Sequence, residues 1–222
     1  MAKRFIELAV SDLANQFAIP LKSATGAIVS RRSAAATKLQ LHPDSRVLEI
    51  GYGRGHGLAA ALKAVPHGAV FGLEKSPYME EVAHSRFILE AREDRRLQLD
   101  RVFDLRHLAY PTDFFDGIFH VDLYYFIKQE SMLDVSRELL RCLQPGGKLL
   151  CGLQMERLRK LQRWGLLAST QWDPLRYLSE LEPAGFIDVK MEYVPTPRGE
   201  IQVISAAKPP AGEGDEDPAV LV

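Results

Sequence analysis

Three glycines at alternate positions follow a short apolar segment near residue 50. Val47 to Ile50 read as a buried strand, Gly51, Gly53 and Gly55 come directly after it, and an alanine-rich helical segment begins within a few residues. A glycine turn between a strand and a helix lets the backbone approach a ligand closely, because no Cβ atoms intervene, and it directs the N–H groups of the helix start at that ligand. The segment therefore predicts a binding site for a nucleotide-like ligand.

The spacing of these glycines indicates which nucleotide is bound. A dinucleotide-binding turn has the pattern G-x-G-x-x-G, whose third glycine allows the helix to pack closely on the strand. Counted from Gly51, that third position is His56, and counted from Gly53 it is Leu58. Neither position is glycine, so the spacing disfavours an NAD-dependent oxidoreductase.

Three further segments follow the glycine turn in a fixed order. Residues 70–74 read as a second strand that ends in Glu74, and an acid at this point can accept hydrogen bonds from both hydroxyls of a ribose. Residues 103–116, FDLRHLAYPTDFFD, place Asp104 after a third strand. Residues 143–149, LQPGGKL, form a proline and glycine turn before another strand.

Taken together, the four segments resemble the class I S-adenosylmethionine (AdoMet) dependent methyltransferases, over about residues 45–208. In that family an acid and the glycine backbone surround the methionine end of AdoMet, a second acid binds the ribose, and an aspartate accepts from the adenine amino group. Phe103 and Ala109 stand where the family has glycine and proline. The cofactor contacts that the resemblance implies come from Glu49, Gly51, Gly53, Gly55, Glu74, Lys75, Asp104, Leu105 and His120.

Each segment also has an ordinary structural explanation. Glu49 and Glu74 could be surface acids at strand ends, Asp104 could cap a loop, and the proline and glycine turn could simply end a helix. The order and spacing of all four favour the methyltransferase interpretation.

Strands and helices alternate along the chain. The predicted strands are 46–50, 69–73, 98–103, 116–121, 148–153, 186–194 and 200–207, and the predicted helices are 57–65, 77–94, 130–143, 155–167 and 173–182. Alternation of this kind predicts an α/β fold with parallel strands, right-handed crossovers and helices on both faces. The family resemblance adds a doubly wound, mostly parallel, seven-stranded sheet with a C-terminal antiparallel hairpin.

Three regions are predicted from this reading. The resemblance implies a helical lid over residues 1–44 and a methyltransferase domain over 45–208. The first 41 residues carry six Lys and Arg against two acids, so a mitochondrial targeting segment is the alternative for the N-terminus. Residues 209–222 are rich in acids, proline and glycine, and this composition predicts a disordered tail.

Composition narrows the partners and the compartment. The 28 Lys and Arg nearly balance the 29 Asp and Glu, which gives no electrostatic reason to expect a nucleic acid substrate. No segment has the apolar length of a membrane span, and the N-terminus lacks the apolar segment of a secretory signal. Cys142 and Cys151 have no metal-ligating partner nearby and fit a reducing compartment. We therefore expect a cytoplasmic protein without a metal site.

The segment after the fourth predicted strand is where the family places groups that face the methyl acceptor. Asp122 occupies the first position of the Asn/Asp-Pro-Pro-Tyr motif of amino-directed methyltransferases, but Leu123 and Tyr124 replace both prolines. This departure disfavours adenine or glutamine N-methylation. Asp122 or Tyr125 could orient an acceptor and His120 could act as a base, and ordinary pocket lining is the alternative for all three.

The resulting hypothesis is methyl transfer to a small organic acceptor by in-line displacement. This acceptor class rests on the similarity of the motif set to small-molecule methyltransferases, including those of quinone biosynthesis. A non-catalytic methyltransferase-like protein that binds AdoMet or a partner is the alternative. The basic, amphipathic segment 155–167 is most simply a helix with one solvated face, and it also suits an acidic substrate or a membrane surface.

Overall fold

The computed structural model describes residues 38–153, 155–168, 171, 173–196 and 199–212. Within them, seven strands form one sheet in the order β3-β2-β1-β4-β5-β7-β6. The strands are β1 Arg46–Ile50, β2 Ala69–Glu74, β3 Leu97–Arg101, β4 Phe115–Val121, β5 Leu143–Leu153, β6 Ile187–Thr196 and β7 Gly199–Ala207. Strands β1 to β5 pair in parallel, whereas β7 runs antiparallel to both β5 and β6. The predicted fold class is confirmed.

Helices cover both faces of this sheet. They are α1 His56–Ala64, α2 Pro77–Arg86, α3 Ile88–Arg92, α4 Gln129–Cys142, α5 Met155–Arg163 and α6 Leu175–Ala184, and a 3₁₀ turn spans Tyr124–Phe126. One core lies between the sheet and the face formed by α4, α5 and α6, and a second lies beneath α1 and α2. Covering on both faces explains why β1 and β4 are buried along nearly their whole length.

The predicted helix 77–94 is wrong in one respect, because the structure divides it into α2 and α3 at Phe87. The backbone of Phe87 leaves the helical region, with φ −113° and ψ 36°. This turn buries the Phe87 ring, which is only 4% exposed, in the core beneath α1 and α2. Burial of one aromatic ring therefore outweighs the continuous helical periodicity of the segment.

Two other boundaries differ from the sequence prediction by four residues or more, and the rest differ by two residues at most. The helix predicted over 155–167 ends at Arg163, because Gly165 takes a left-handed φ of 69° and terminates it. Strand β5 begins at Leu143 rather than at residue 148, since Leu143 already pairs with Phe115.

The predicted terminal regions fall largely outside the described residues. Residues 1–37 of the predicted lid and 213–222 of the predicted tail are not among them. At the start of the described part, Leu39 is 2% exposed and, with Leu41, packs over Gly117 of β4. No helix in the described part of the chain is both long and apolar enough to cross a membrane. The proposed domain boundaries remain predictions.

Candidate cofactor site

The carboxyl ends of β1, β2, β4 and β5 meet at one edge of the sheet, and the predicted site residues follow these ends. Gly51 N, after β1, donates to Leu73 O of β2 at 2.7 Å, and Asp122 N, after β4, donates to Gly152 O of β5 at 2.9 Å. The side chain of Leu123 lies 3.7 Å from the position that a Cβ of Gly51 would occupy. The glycine loop and the segment predicted to face the acceptor are therefore direct neighbours, as expected where ligands bind open α/β sheets.

All three glycines of the loop have left-handed backbone angles. The φ angles of Gly51, Gly53 and Gly55 are 73°, 54° and 76°. Side chains of L-residues rarely adopt this region, so the loop conformation itself calls for glycine. Gly55 is also the N-cap of α1, where its carbonyl accepts from Ala59 N at 3.1 Å.

The carboxylate of Glu74 joins the end of β2 to the glycine loop. Its Oε2 accepts from Gly53 N at 2.8 Å, and its Oε1 accepts from Lys75 N at 2.8 Å and Ser76 N at 3.1 Å. Hydrogen bonds from backbone N–H groups to a charged carboxylate are stronger than those between neutral groups. Glu74 is half-buried and holds the loop closed, whereas the side chain of Lys75 is exposed.

Glu49 of β1 is fully buried beside the start of α1. A Cβ added to Gly57 would lie 2.2 Å from Glu49 Oε1, so the carboxylate occupies the space that a side chain at residue 57 would need. The sequence reasoning did not single out Gly57. A signal was nevertheless present, because Gly57 is a fourth glycine in the alternate series that begins at Gly51.

The turn between α2 and α3 covers the glycine loop from the other side. Phe87 Cε2 lies 2.4 Å from the position of a Cβ on Gly55, and the guanidinium of Arg86 stacks over the Phe87 ring at 5.0 Å from its centroid. Arg86 Nη1 also donates to Arg54 O at 2.9 Å. The close approach of the Phe87 ring is a second reason, besides the φ angle, why residue 55 is glycine.

The loop predicted to contact adenine lies beside Glu74, because Val102 N donates to Glu74 O at 3.1 Å. Both carboxylate oxygens of Asp104 accept hydrogen bonds from the side chain of Arg106, and Oδ1 also accepts from its backbone N–H. The Arg106 hydrogen bonds lower the pKa of Asp104 to about 2. Leu105 packs against the core, whereas Phe103, at the position of the usual glycine, is 78% exposed.

Side chains of helix α4 hydrogen-bond to the backbone of the loop that contains Asp104. Glu138 Oε1 accepts from Leu108 N at 2.6 Å, and Arg141 Nη2 donates to Tyr110 O at 2.9 Å and to Glu138 Oε1 at 2.7 Å. Burial alone would raise the pKa of Glu138, but the bonds from Arg141 and Leu108 outweigh it and lower the pKa. Neither Glu138 nor Arg141 was predicted, because no local pattern links them to a loop some 30 positions earlier.

The three residues predicted to face the acceptor do not lie together at the edge. Asp122 does lie there, half-buried, with a left-handed φ of 60° that is uncommon for a residue other than glycine. His120 is only 1% exposed, and its Nε2 lies 3.0 Å from the hydroxyl oxygen of Tyr177 on α6. Tyr125 is likewise buried, edge-on to Tyr124. The cofactor and acceptor roles of these residues remain predictions.

Comparison with known proteins gives one match to a family model. A model described as a methyltransferase domain matches residues 47–147. Over this segment the chain is similar to that family. The segment runs from β1 to the proline and glycine turn of β5, so it contains the glycine loop, Glu74 and Asp104. Domains of this family bind AdoMet. No curated protein matches the sequence.

Solved structures show the same fold. A Haemonchus contortus phosphoethanolamine N-methyltransferase 2, in complex with AdoMet, superposes with a TM-score of 0.63 at 19% identity; the match covers 80% of this chain and 52%, about half, of that one. A geranyl diphosphate methyltransferase, in complex with GPP and sinefungin, gives a TM-score of 0.64 at 13% identity; the match covers 80% of this chain and 76% of that one. The [4+2]-cyclase SpnF gives 0.61 at 18% identity over 81% and 80%. Identities this low establish the fold alone.

Proposed function

We propose that the protein is an AdoMet-dependent methyltransferase that acts on a small organic acceptor. The observation that carries this proposal is the glycine loop with three left-handed glycines, joined to Glu74 at the carboxyl edge of the sheet. Glycine residues lack a Cβ atom, so the methionine and ribose parts of AdoMet could approach this backbone closely beside a charged acceptor.

The residues around the loop fit AdoMet chemically. A carboxylate oxygen can accept about two hydrogen bonds, so Glu74 Oε2, which accepts from Gly53 N, retains capacity for a ribose hydroxyl. Asp104, with Leu105 beneath it, would accept from the adenine amino group. This role requires Asp104 to share its oxygens with Arg106. Glu49 would act near the methionine end.

AdoMet supplies a methyl group on a sulfonium, a good leaving group, so the protein's main tasks are alignment and exclusion of water. Alignment can lower a barrier by about 7 to 11 kcal/mol. Asp122 is the predicted acceptor-facing residue that lies at the carboxyl edge, and we assign it to orienting the acceptor. Nε2 of His120 could act as a base only by exchanging its contact with the Tyr177 hydroxyl for the acceptor.

Two similar structures support an acceptor of low molecular weight. One is named as a phosphoethanolamine methyltransferase and the other as a geranyl diphosphate methyltransferase, and both names describe small, phosphorylated compounds. The nearly balanced charge of this chain adds no reason to prefer a nucleic acid acceptor. A cytoplasmic location, supported by two buried free cysteines, belongs to the same proposal.

Glu74→Ala tests the cofactor site. We expect it to weaken AdoMet binding by about 1 to 3 kcal/mol, because the ribose loses a charged acceptor in a partly desolvated site. Isothermal titration with AdoMet and with S-adenosylhomocysteine measures the change. Glu81→Ala, an exposed acid on α2, is the matched control and should leave the affinity unaltered. Equal affinities for both variants would contradict the assignment of Glu74.

Transfer of a labelled methyl group distinguishes a catalyst from a binding protein. The protein is incubated with methyl-labelled AdoMet and with metabolite, protein and RNA fractions, and Gly53→Val, whose side chain would enter the loop, is the inactive control. Label in the metabolite fraction supports the proposal. If AdoMet binds but no fraction is labelled, the non-catalytic alternative replaces it, consistent with a fold that also supports a [4+2]-cyclase.

A further inference from the structure

Helix α5 presents a basic surface that ends in two exposed apolar side chains. Arg159, Lys160 and Arg163 are exposed on the helix, and Trp164 and Leu166, just after it, are 58% and 39% exposed. We call these five residues the α5 surface. The cofactor site makes no use of them.

The opposite face of the helix is packed, so the α5 surface has a fixed orientation. Leu158 is fully buried and Leu167 is 4% exposed, in the same core as Tyr177. The end of the helix is closed by two backbone bonds, Gly165 N to Gln162 O and Leu166 N to Leu161 O, each at 2.9 Å. This is a Schellman cap, so backbone geometry rather than a frayed end holds the side chains of residues 164 and 166 outside the core.

The positive charges of this surface have no ion-pair partner within the part of the chain that the structure describes. Among the residues that the structure describes, no carboxylate forms an ion pair with Arg159, Lys160 or Arg163. Several basic side chains elsewhere do have such partners, for example Arg101 with Glu80, Arg106 with Asp104, and Lys208 with Asp113. The α5 surface is therefore a local excess of positive charge on a chain whose net charge is only −1.

We propose that the α5 surface binds the surface of an anionic phospholipid membrane. Exposed Lys and Arg side chains attract anionic headgroups, and Trp and Leu side chains beside them enter the boundary between headgroups and acyl chains. The occupant suggested by this combination is a lipid surface rather than a soluble anion, because a soluble anion gains nothing from the exposed apolar pair.

The position of α5 connects this surface to the proposed active site. The helix follows β5 almost directly, and Gly152 of β5 accepts from Asp122 N at the carboxyl edge. A bilayer that extends from the α5 surface to the start of the helix would lie beside that edge, where an acceptor dissolved in the membrane could reach it. This last consequence rests on the proposed function, whereas membrane binding itself does not.

Co-sedimentation of the full chain with vesicles, carried out in the absence of AdoMet, tests the proposal. The vesicles are phosphatidylcholine alone or with about 30% phosphatidylserine, at about 0.1 M salt. We expect binding to the anionic vesicles only, weakened about tenfold or more in R159E/K160E/R163E. The matched control is K63E/R92E/R95E, which reverses three exposed charges on α1 and near α3 and should bind like the unaltered protein.

Tryptophan fluorescence reports the apolar contact. The chain has two tryptophans, so Trp172→Phe leaves Trp164 as the single reporter. Anionic vesicles should shift its emission to shorter wavelength, and W164A/L166A should weaken binding. The midpoint of thermal unfolding of this variant separates lost binding from lost folding.

Several results would overturn the proposal. They are absence of binding to anionic vesicles, equal loss of binding in the control triple variant, and binding to heparin as tight as to vesicles without a shift in Trp164 emission. Failure of AdoMet binding would overturn the proposed function and leave the vesicle result untouched, so the two failures are distinguishable.

Discussion

Glycines in the glycine loop and elsewhere in the chain are required for two different physical reasons. A left-handed φ angle alone disfavours any side chain, as at Gly146, whose φ is 78° and whose Cβ position has no atom within 4 Å. Gly55 combines a φ of 76° with the close approach of Phe87. Gly57, by contrast, is restricted by the buried carboxylate of Glu49.

Comparison of Gly55→Ala with Gly146→Ala separates these effects. Both variants carry the backbone strain of about 1 to 2 kcal/mol. Gly55→Ala also overlaps the Phe87 ring, which adds about 1 to 3 kcal/mol. The free energy of unfolding, measured in denaturant, should therefore fall further for Gly55→Ala. Phe87→Leu in the Gly55→Ala background should recover part of the difference, and equal losses for the two single variants would show that the ring contact is unimportant.

The pKa of Asp104 depends on its neighbour. Because Arg106 hydrogen bonds lower this pKa from 3.8 to about 2, the charged pair favours the folded state above about pH 4, and its contribution is lost as the pH falls from there towards 2. Arg106→Gln should raise the Asp104 pKa towards 3.8. Carbon-detected NMR titration of the Asp104 carboxyl measures it, and a midpoint that stays near 2 in the variant would assign the shift to another cause.

At the scale of elements, the loop predicted to contact adenine is positioned by helix α4 rather than by its own sequence. Arg141 contacts the carbonyls of Leu108 and Tyr110 and the hydroxyl of Thr112, while Glu138 accepts the Leu108 N–H. These bonds compensate for the unusual residue at position 103, because the loop conformation does not depend on a glycine there.

Arg141→Met should loosen this loop. We expect a loss of about 1 to 3 kcal/mol in the free energy of unfolding, since several hydrogen bonds to partly buried carbonyls and to Glu138 disappear. AdoMet affinity should fall as well, because Asp104 and Leu105 belong to the same loop. Both quantities are measurable by chemical denaturation and titration calorimetry.

Arg137→Met is the matched control on the same helix. Arg137 is exposed, and its ion pair with Asp134 is long, at 3.9 Å, so its replacement should alter stability by no more than about 0.5 kcal/mol. If both arginine variants behave alike, α4 does not position the loop.

At the scale of the whole molecule, the proposed cofactor bridges loops that follow β1, β2 and β3. A ligand that binds only the folded state at about 100 times its dissociation constant adds about 2.7 kcal/mol to stability. For a domain of this size, each kcal/mol raises the melting temperature by about 2 to 4 °C. AdoMet and S-adenosylhomocysteine should therefore raise it by roughly 5 to 10 °C. NADH should cause no shift, and an equal shift with NADH would contradict the interpretation of the glycine spacing.

The sequence by itself determined the order of elements, the sheet class and the similarity to methyltransferase domains. These properties are encoded locally, in hydrophobic periodicity and in the turn residues that follow β1 and begin β5. The positive φ angles of Gly51, Gly53 and Gly55 are also encoded locally, because only glycine adopts them without strain. The AdoMet prediction agrees with the methyltransferase-domain model that matches residues 47–147.

The tertiary structure alone decided which side chains are close together. The helix is interrupted at Phe87, whose ring is buried over Gly55. His120 lies in the core, and Arg141 contacts a loop about 30 residues away. Each is a contact between distant segments, set by how helices pack on the sheet, and no local periodicity records it. Local pattern thus fixed the elements and the glycine loop, while packing fixed the surroundings of the site.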